Sequence, residues 1–211
     1  MDNNKKFWEK VAKLYTPLQE KSNKEIYGVV INRCEKYIDS EKRVLELACG
    51  TGQFTFSLCS KAKCWEATDC SGRMVEETKN RSETVLFNNA DAKDRLIFSV
   101  QDATNLPYND SSFDVVMIAN ALHIMPEPEK ALAEIKRVLV PGGILIAPTF
   151  VYEGKINKFR MFIINLAGFK TFHKWNKKEF QSFVESSGLN IKDCEIIPGR
   201  PLPECFIVAE A

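Results

Sequence analysis

An acid, a pair of glycines two residues apart and an amphipathic run after them form a turn that can receive a ligand. The segment Val44-Leu45-Glu46-Leu47-Ala48-Cys49-Gly50-Thr51-Gly52-Gln53-Phe54 has that form. Gly50 and Gly52 lack a Cβ, so the backbone can turn sharply and a ligand can approach it closely. A helix beginning just beyond would offer free N–H groups to electronegative ligand atoms. The dinucleotide pattern G-x-G-x-x-G needs a third glycine, and here that position is Thr55. Glu46 is out of place beside a pyrophosphate and suits a cationic ligand. Further along stand Asp69, Asp102 and His123. His123 is the group in its stretch able to act as a base near neutral pH.

Alternating elements must position these residues. Short apolar runs at Arg43–Ala48, Lys63–Thr68, Leu96–Gln101, Phe113–Ala119 and Gly143–Phe150 predict strands buried on both faces. Helices are predicted at Gln53–Lys61, Gly72–Arg81 and Glu127–Leu139, with Pro141-Gly142-Gly143 as the turn before the fifth strand. Strand and helix in alternation predict a doubly wound, mostly parallel α/β sheet. Residues 82–94 are polar and read as a loop or a helix end with an insertion. Residues 1–40 read as packing and lid helices. Phe7, Trp8, Val11, Leu14 and Tyr15 recur in the first, and Ile26, Val29, Val30, Cys34 and Tyr37 form a stripe over Lys24–Ile38. After residue 150 come an aromatic-rich stretch, a helix at Lys177–Ser187 ended by Gly188, and two strands, Asn190–Ile197 and Cys205–Ala209, that fit an antiparallel return at the sheet edge. The expected organisation is a single domain: lid helices over 1–40, a ligand-binding core over 41–150, and a substrate lid with closing strands over 151–211.

With 211 residues the chain is long enough for one α/β domain and short for two. Its formal net charge is +1, which gives no global attraction to nucleic acid or an acidic membrane. No apolar run approaches the ~20 residues of a membrane span, and the polar N-terminus is no signal peptide, so a cytoplasmic location is expected. The seven cysteines are odd in number and none has CxxC spacing, so free thiols and no metal site are expected.

Four blocks stand in order: "VLELACGTGQFT", "ATDCSGRMV", "QDATNLPY" and "FDVVMIANALHIMPEPEKALAEIKRVLVPGGILI". Together they resemble the class I S-adenosylmethionine-dependent methyltransferases, over roughly residues 40–150. The likeness is to the small-molecule and lipid branch, which includes the ubiquinone and menaquinone biosynthesis enzymes. The opening "FWEKVAKLY" also fits that branch. The resemblance implies a seven-stranded Rossmann-like sheet with an antiparallel last strand, S-adenosylmethionine as cofactor and S-adenosylhomocysteine as product. Ala48 replaces the family's first glycine, and tighter packing without loss of binding is expected there.

The resemblance implies these roles. Glu46, Ala48, Gly50 and Gly52 would surround the methionine part of the cofactor. Asp69 would accept from the ribose hydroxyls, Ser71 and Met74 would line the adenosine pocket, Asp102 would accept from the adenine amino group, and Ala103 would stack nearby. Asn120 would touch the cofactor, and Tyr15 and Trp8 would close over it. Plainer roles stay open: a strand-end carboxylate for Glu46, a helix N-cap for Asp69, a turn for Asp102, core packing for Met74 and the lid aromatics, and a structural histidine for His123. Methyl transfer is an in-line displacement in which the protein chiefly orients and desolvates. For an acidic acceptor such as a phenol or thiol, His123 is the expected catalytic base.

The acceptor is expected to be a small molecule, apolar or aromatic. Its wall would come from residues 1–30 and from Tyr152, Phe159, Met161, Phe162, Ile163, Phe169, Phe172 and Trp175. Peripheral membrane contact is compatible with this, stable insertion is not, and no nucleic-acid partner is expected; the oligomeric state is open. The competing readings are a nucleic-acid or protein methyltransferase, a non-catalytic S-adenosylmethionine-binding protein and a nicotinamide oxidoreductase. Against the first, the N/D-P-P-Y position reads Asn120-Ala121-Leu122-His123.

Overall fold

A computed structural model describes residue 9 and residues 25–153, 171–199 and 202–211. Eight strands among these residues form one sheet: β1 (Arg43–Leu47), β2 (Cys64–Asp69), β3 (Leu96–Val100), β4 (Phe113–Ile118), β5 (Leu139–Ile146), β6 (Thr149–Phe150), β7 (Asn190–Ile197) and β8 (Glu204–Glu210). The order is β3-β2-β1-β4-β5-β8-β6, with β7 also paired to β8. Strands β1 to β5 are mutually parallel, and β8 runs antiparallel to β5, β6 and β7. The helices are α1 (25–34), α2 (Thr55–Leu58), α3 (Gly72–Val85), α4 (Ala90–Asp94), α5 (Pro128–Val138) and α6 (Lys177–Ser186).

The central strands are buried on both faces because they carry apolar side chains toward each side, whereas β3 at the edge leaves Ile97 and Val100 exposed. Leu45, Val116, Leu145 and Ile207 pack with Ala131, Leu132, Ile135 and Val138 of α5 and with Phe180 and Val184 of α6. Val44, Val115, Ile146 and Phe206 pack against Ile26, Tyr27, Val30 and Cys34 of α1 and against Phe54 and Leu58. Tyr27, whose ring meets Phe54 edge-on at 5.2 Å, takes the place expected for Val29, which is exposed.

Several local rules set the element ends. Pro128 opens α5, where its missing N–H costs nothing, and Lys136 and Arg137 close it beside the negative end of the helix dipole. Asn176 and Glu179 form a reciprocal capping box at the start of α6. Gly188, at φ +78°, follows its last turn.

Three expectations shift. The Gln53–Lys61 helix is a four-residue α2 followed by a 3-10 turn over Cys59–Lys61. The Pro141-Gly142-Gly143 turn lies inside β5 as an irregularity, with Gly142 at φ +75° and the register against β4 shifted between Phe113 and Val115. Residues 82–94 hold the end of α3 and all of α4, whose N-cap Asn89 accepts from the Ala92 N–H.

Strand β6 keeps the pairing register of β5 against β8, so the two are one strand interrupted at Ala147-Pro148. Pro148 has no N–H to give a ladder. Its carbonyl turns instead to the Asn120 N–H, at 2.8 Å. That bond ties the end of β4 to the break.

Candidate active site

The carboxyl ends of β1 to β4 surround a cleft of about 660 Å³, within the usual range for small-molecule pockets. Ala48 and Gly50 line it from the turn after β1, and Asp69, Cys70 and Met74 from the end of β2 and the start of α3. Gln101, Asp102, Ala103 and Thr104 line it after β3, and Asn120, Ala121, Ile124 and Glu127 after β4. Its charged side chains are Asp69, Asp102 and Glu127, and none of the described lining residues is basic. Such a surface suits a cationic ligand and opposes a pyrophosphate.

The turn after β1 is strained where a ligand would lie closest. Ala48 sits at φ +55°, Gly50 at +56° and Gly52 at +85°. A left-handed non-glycine residue costs roughly 1–2 kcal/mol. Gly52 does not line the cleft. A Cβ there would stand 2.5 Å from the Phe56 ring and 2.8 Å from a Thr78 methyl carbon. Its lack of a side chain serves the packing of α2 and α3 under the turn.

Asp69 holds the turn and the next helix together. One carboxylate oxygen accepts the Gly50 N–H at 3.1 Å and the other the Ser71 N–H at 2.8 Å. Ser71 is fully buried and caps α3, its Oγ accepting from Met74 N. It also donates to Glu9, but it does not line the cleft. The Asp102 carboxylate accepts from both the N–H and the hydroxyl of Thr104, and its carbonyl from Asn105 N–H. The loop it begins is braced by Arg137, which donates to the Leu106 and Tyr108 carbonyls and to Glu134 and Asp110.

Two expectations are corrected. Glu46 is buried and lies outside the cleft lining. It shares the Val44 face of β1, which turns it under the glycine turn. There one oxygen accepts from the Thr55 hydroxyl at 2.5 Å and from Trp65 Nε1 at 2.8 Å. Thr55 holds the position of the missing third glycine, so that departure and the acid before the turn are partners. Burial pushes the Glu46 carboxyl up to about 7, against the opposing pull of those two donors.

His123 is also buried and its side chain lies outside the cleft lining. Its ring edge faces Phe150 at 6.1 Å between centroids, and its carbonyl accepts the N–H groups of Phe172 and His173, both at 3.0 Å. Burial lowers its pKa to about 4, which makes it a weak base at neutral pH. Its backbone carbonyl anchors residues 172–173.

Tyr15, Trp8, Phe159, Met161, Phe162, Ile163 and Phe169 lie outside the described residues. Trp175 stacks between His173 and Phe183 at 4.8 and 4.6 Å, against α6. Cys70, Gln101, Thr104, Ile124 and Glu127 were not anticipated as lining. Cys70, Gln101 and Thr104 stand within four residues of a strand's carboxyl end, the rule that would have found them, while Ile124 and Glu127 lie farther along the loop after β4.

A doubly wound sheet with an acid-lined cleft over a glycine turn defines a ligand-binding α/β domain whose cleft suits a small cationic ligand. A methyltransferase-domain family model matches residues 45–147. The chain is 31% identical over 192 residues to the demethylmenaquinone methyltransferase of Staphylococcus aureus, covering 85% of this chain and 75% of that protein. It is 35% identical over 128 residues to that of Clavibacter sepedonicus, covering 61% and 49%. It spans less than half the length of several curated relatives that it matches. A solved S-adenosylmethionine-dependent methyltransferase of Thermotoga maritima shares the fold, with 20% identity and a TM-score of 0.74 over 97% of this chain and 98% of that one. The chain belongs to the class I S-adenosylmethionine-dependent methyltransferase family.

Proposed function

We propose that this protein transfers a methyl group from S-adenosylmethionine to a small acceptor of apolar or aromatic character, a quinol or phenol being the first class to test. The observation that carries the reading is the cleft: three carboxylates, no basic lining side chain among the described residues, and Asp69 at the end of β2, where it ties the glycine turn to the next helix. A described cleft lining without basic side chains offers nothing to neutralise a phosphate backbone, which speaks against a nucleic-acid substrate. The demethylmenaquinone methyltransferases among the relatives support the acceptor class.

In this reading Asp69 accepts from the ribose hydroxyls, and Asp102 and Ala103 receive the adenine. Met74 packs on the adenosine, while Ala48, Gly50 and the backbone of Asn120 face the methionine end. When bound, the cofactor supplies a methyl carbon on a cationic sulfur, already attached to a good leaving group. The chain orients the two reactants in line and excludes water, effects that together reach on the order of 7–11 kcal/mol in well-held systems. A cytoplasmic, reducing setting fits the free cysteines, seven in all.

Calorimetry with S-adenosylmethionine and S-adenosylhomocysteine, with NADH as control, tests the reading. Micromolar binding of both sulfur ligands and none of NADH is expected. Asp69→Ala removes hydrogen bonds to a charged acceptor, worth roughly 1.5–3 kcal/mol each. It should weaken binding by at least about tenfold. Binding of NADH alone would overturn the reading.

A further inference from the structure

Beyond the cofactor groups, one buried polar pair stands at the far end of the cleft. Cofactor recognition occupies the ends of β1, β2 and β3, so the methyl acceptor must enter beyond β4. Strand β8 runs antiparallel, and its first residue, Glu204, therefore lies at this same edge of the sheet, opposite Phe150. Glu204 is fully buried, and one carboxylate oxygen accepts from Asn120 Nδ2 at 2.8 Å. Asn120 lines the cleft, sits at φ +53° and is tied by its N–H to Pro148. Both the other Glu204 oxygen and Asn120 Oδ1 are buried without a hydrogen-bond partner. Buried polar atoms are nearly always satisfied, so an orphan at a site edge points to a ligand.

We propose that Asn120 Oδ1 accepts a hydrogen bond from the proton-bearing group of the methyl acceptor, a hydroxyl or amine, and that Glu204 is a positioning residue that fixes the orientation of this amide. The logic is one of donors and acceptors. A carboxylate can only accept, so it selects the amide NH2 and leaves Oδ1 for the ligand. A carboxylic acid can donate as well and holds either orientation of the amide. Burial pushes the Glu204 carboxyl up to about 7, so this selection is gained as pH rises through neutrality. The titratable group on α1 that feels Glu204 is the Cys34 thiol, itself pushed up by burial. On β6 and β8 its neighbours Phe150, Pro203 and Cys205 carry no charge, and His123, whose ring meets Phe150, is held neutral at pH 7.

The inference rests on the methyltransferase reading, and its test separates the two. S-adenosylhomocysteine affinity and methylation of 1,4-dihydroxynaphthalene and 1-naphthylamine are measured between pH 5.5 and about 8.5 for wild type, Glu204→Gln and Glu204→Asp. Wild type should methylate one of the probes with kcat/KM rising through about pH 7. Glu204→Gln should keep S-adenosylhomocysteine affinity within about twofold, lose at least about tenfold in kcat/KM and lose the rise with pH, and Glu204→Asp should restore the rise. A Glu204→Gln protein with the wild-type rate and pH profile overturns the proposal. So does a rate loss matched by the loss in S-adenosylhomocysteine affinity, which would make the pair part of the cofactor site or of the fold. Wild type that binds S-adenosylhomocysteine yet methylates neither probe overturns the proposal and leaves the cofactor site standing. Failure to bind S-adenosylhomocysteine overturns the reading beneath it.

Discussion

The two halves of the cleft treat their polar groups differently. At the ends of β1 to β3 the acids are already occupied by the protein: Asp69 by two N–H groups, Glu46 by Thr55 and Trp65, Asp102 by Thr104. Around β4, β6 and β8, Asn120 Oδ1, Thr149 Oγ1 and one Glu204 oxygen are buried without partners. The first half is preorganised, its acids held by protein donors before any ligand arrives. The second half holds polar atoms at a cost of roughly 1–3 kcal/mol each until something meets them. Under the proposed function, the first half would carry the cofactor contacts and the second the contacts that vary with the acceptor.

The largest effect should come from breaking the preorganised half at its hinge. Gly52→Ala places a side chain at φ +85° and drives its Cβ into Phe56 and Thr78. Strain of roughly 1–2 kcal/mol and overpacking of roughly 1–3 kcal/mol add to about 3–4 kcal/mol of lost stability. Denaturant unfolding reads this directly. The proteins that still fold should bind S-adenosylhomocysteine more weakly, although residue 52 does not line the cleft. Unchanged stability would show that the turn adapts and is not preorganised.

The pH dependence of stability separates two buried groups, Glu46 and His123, by sign. The Glu46 carboxyl is raised in the folded protein, so folding favours its protonated form. The stability it contributes is full below its unfolded value near 4.5 and is lost as pH rises through about 7. A shift of this size corresponds to roughly 3 kcal/mol by pH 8. His123 does the opposite. Its pKa is lowered to about 4, so the unfolded chain binds more protons between pH 6.5 and 4, and stability falls as pH falls through that window. Unfolding free energies measured from pH 4 to about 9 should show Glu46→Gln flattening the alkaline limb and His123→Gln the acid limb. Both substitutions acting on the same limb would reverse these assignments.

Much of the cleft was legible in the sequence because backbone chemistry and spacing define it. Gly50, Asp69, Met74, Asp102, Ala103 and Asn120 each follow a strand that the apolar runs mark, and the structure brings them to one cleft. Glu46 was misplaced because one residue of register decides which face of β1 it takes, and spacing to the glycines is blind to that. The acid also had two plausible fates, and the burial that chose between them is a property of Trp65 and Thr55, far apart in sequence. His123 was misread for a related reason. A histidine after a strand end can turn toward the cleft or away, and here a 3-10 turn over Leu122–Ile124 turns it inward. Glu204 carried no local signal at all. Its role depends on β8 returning antiparallel beside the Pro148 break, a pairing between residues more than fifty apart.

The smallest effects probe the same contrast at its two left-handed residues. Ala48 in the cofactor half and Asn120 in the acceptor half both line the cleft at φ near +55°. Glycine relieves the strain at either position but also loosens the unfolded chain. Ala48 makes no polar contact that this costs, so Ala48→Gly should stabilise by about 0.5–1 kcal/mol, a rise in Tm of a few degrees, with cofactor affinity nearly unchanged. Asn120→Gly gains the same relief but takes the amide from Glu204. An orphaned buried carboxyl costs roughly 1–3 kcal/mol, so this variant should lose about 1 kcal/mol or more net, and more above pH 7, where Glu204 must carry charge. Thermal unfolding of the two variants side by side decides the matter. Opposite signs identify Asn120 as a residue retained in a strained conformation for its side chain. Equal and stabilising shifts would show that the Asn120–Glu204 bond adds nothing to the folded protein.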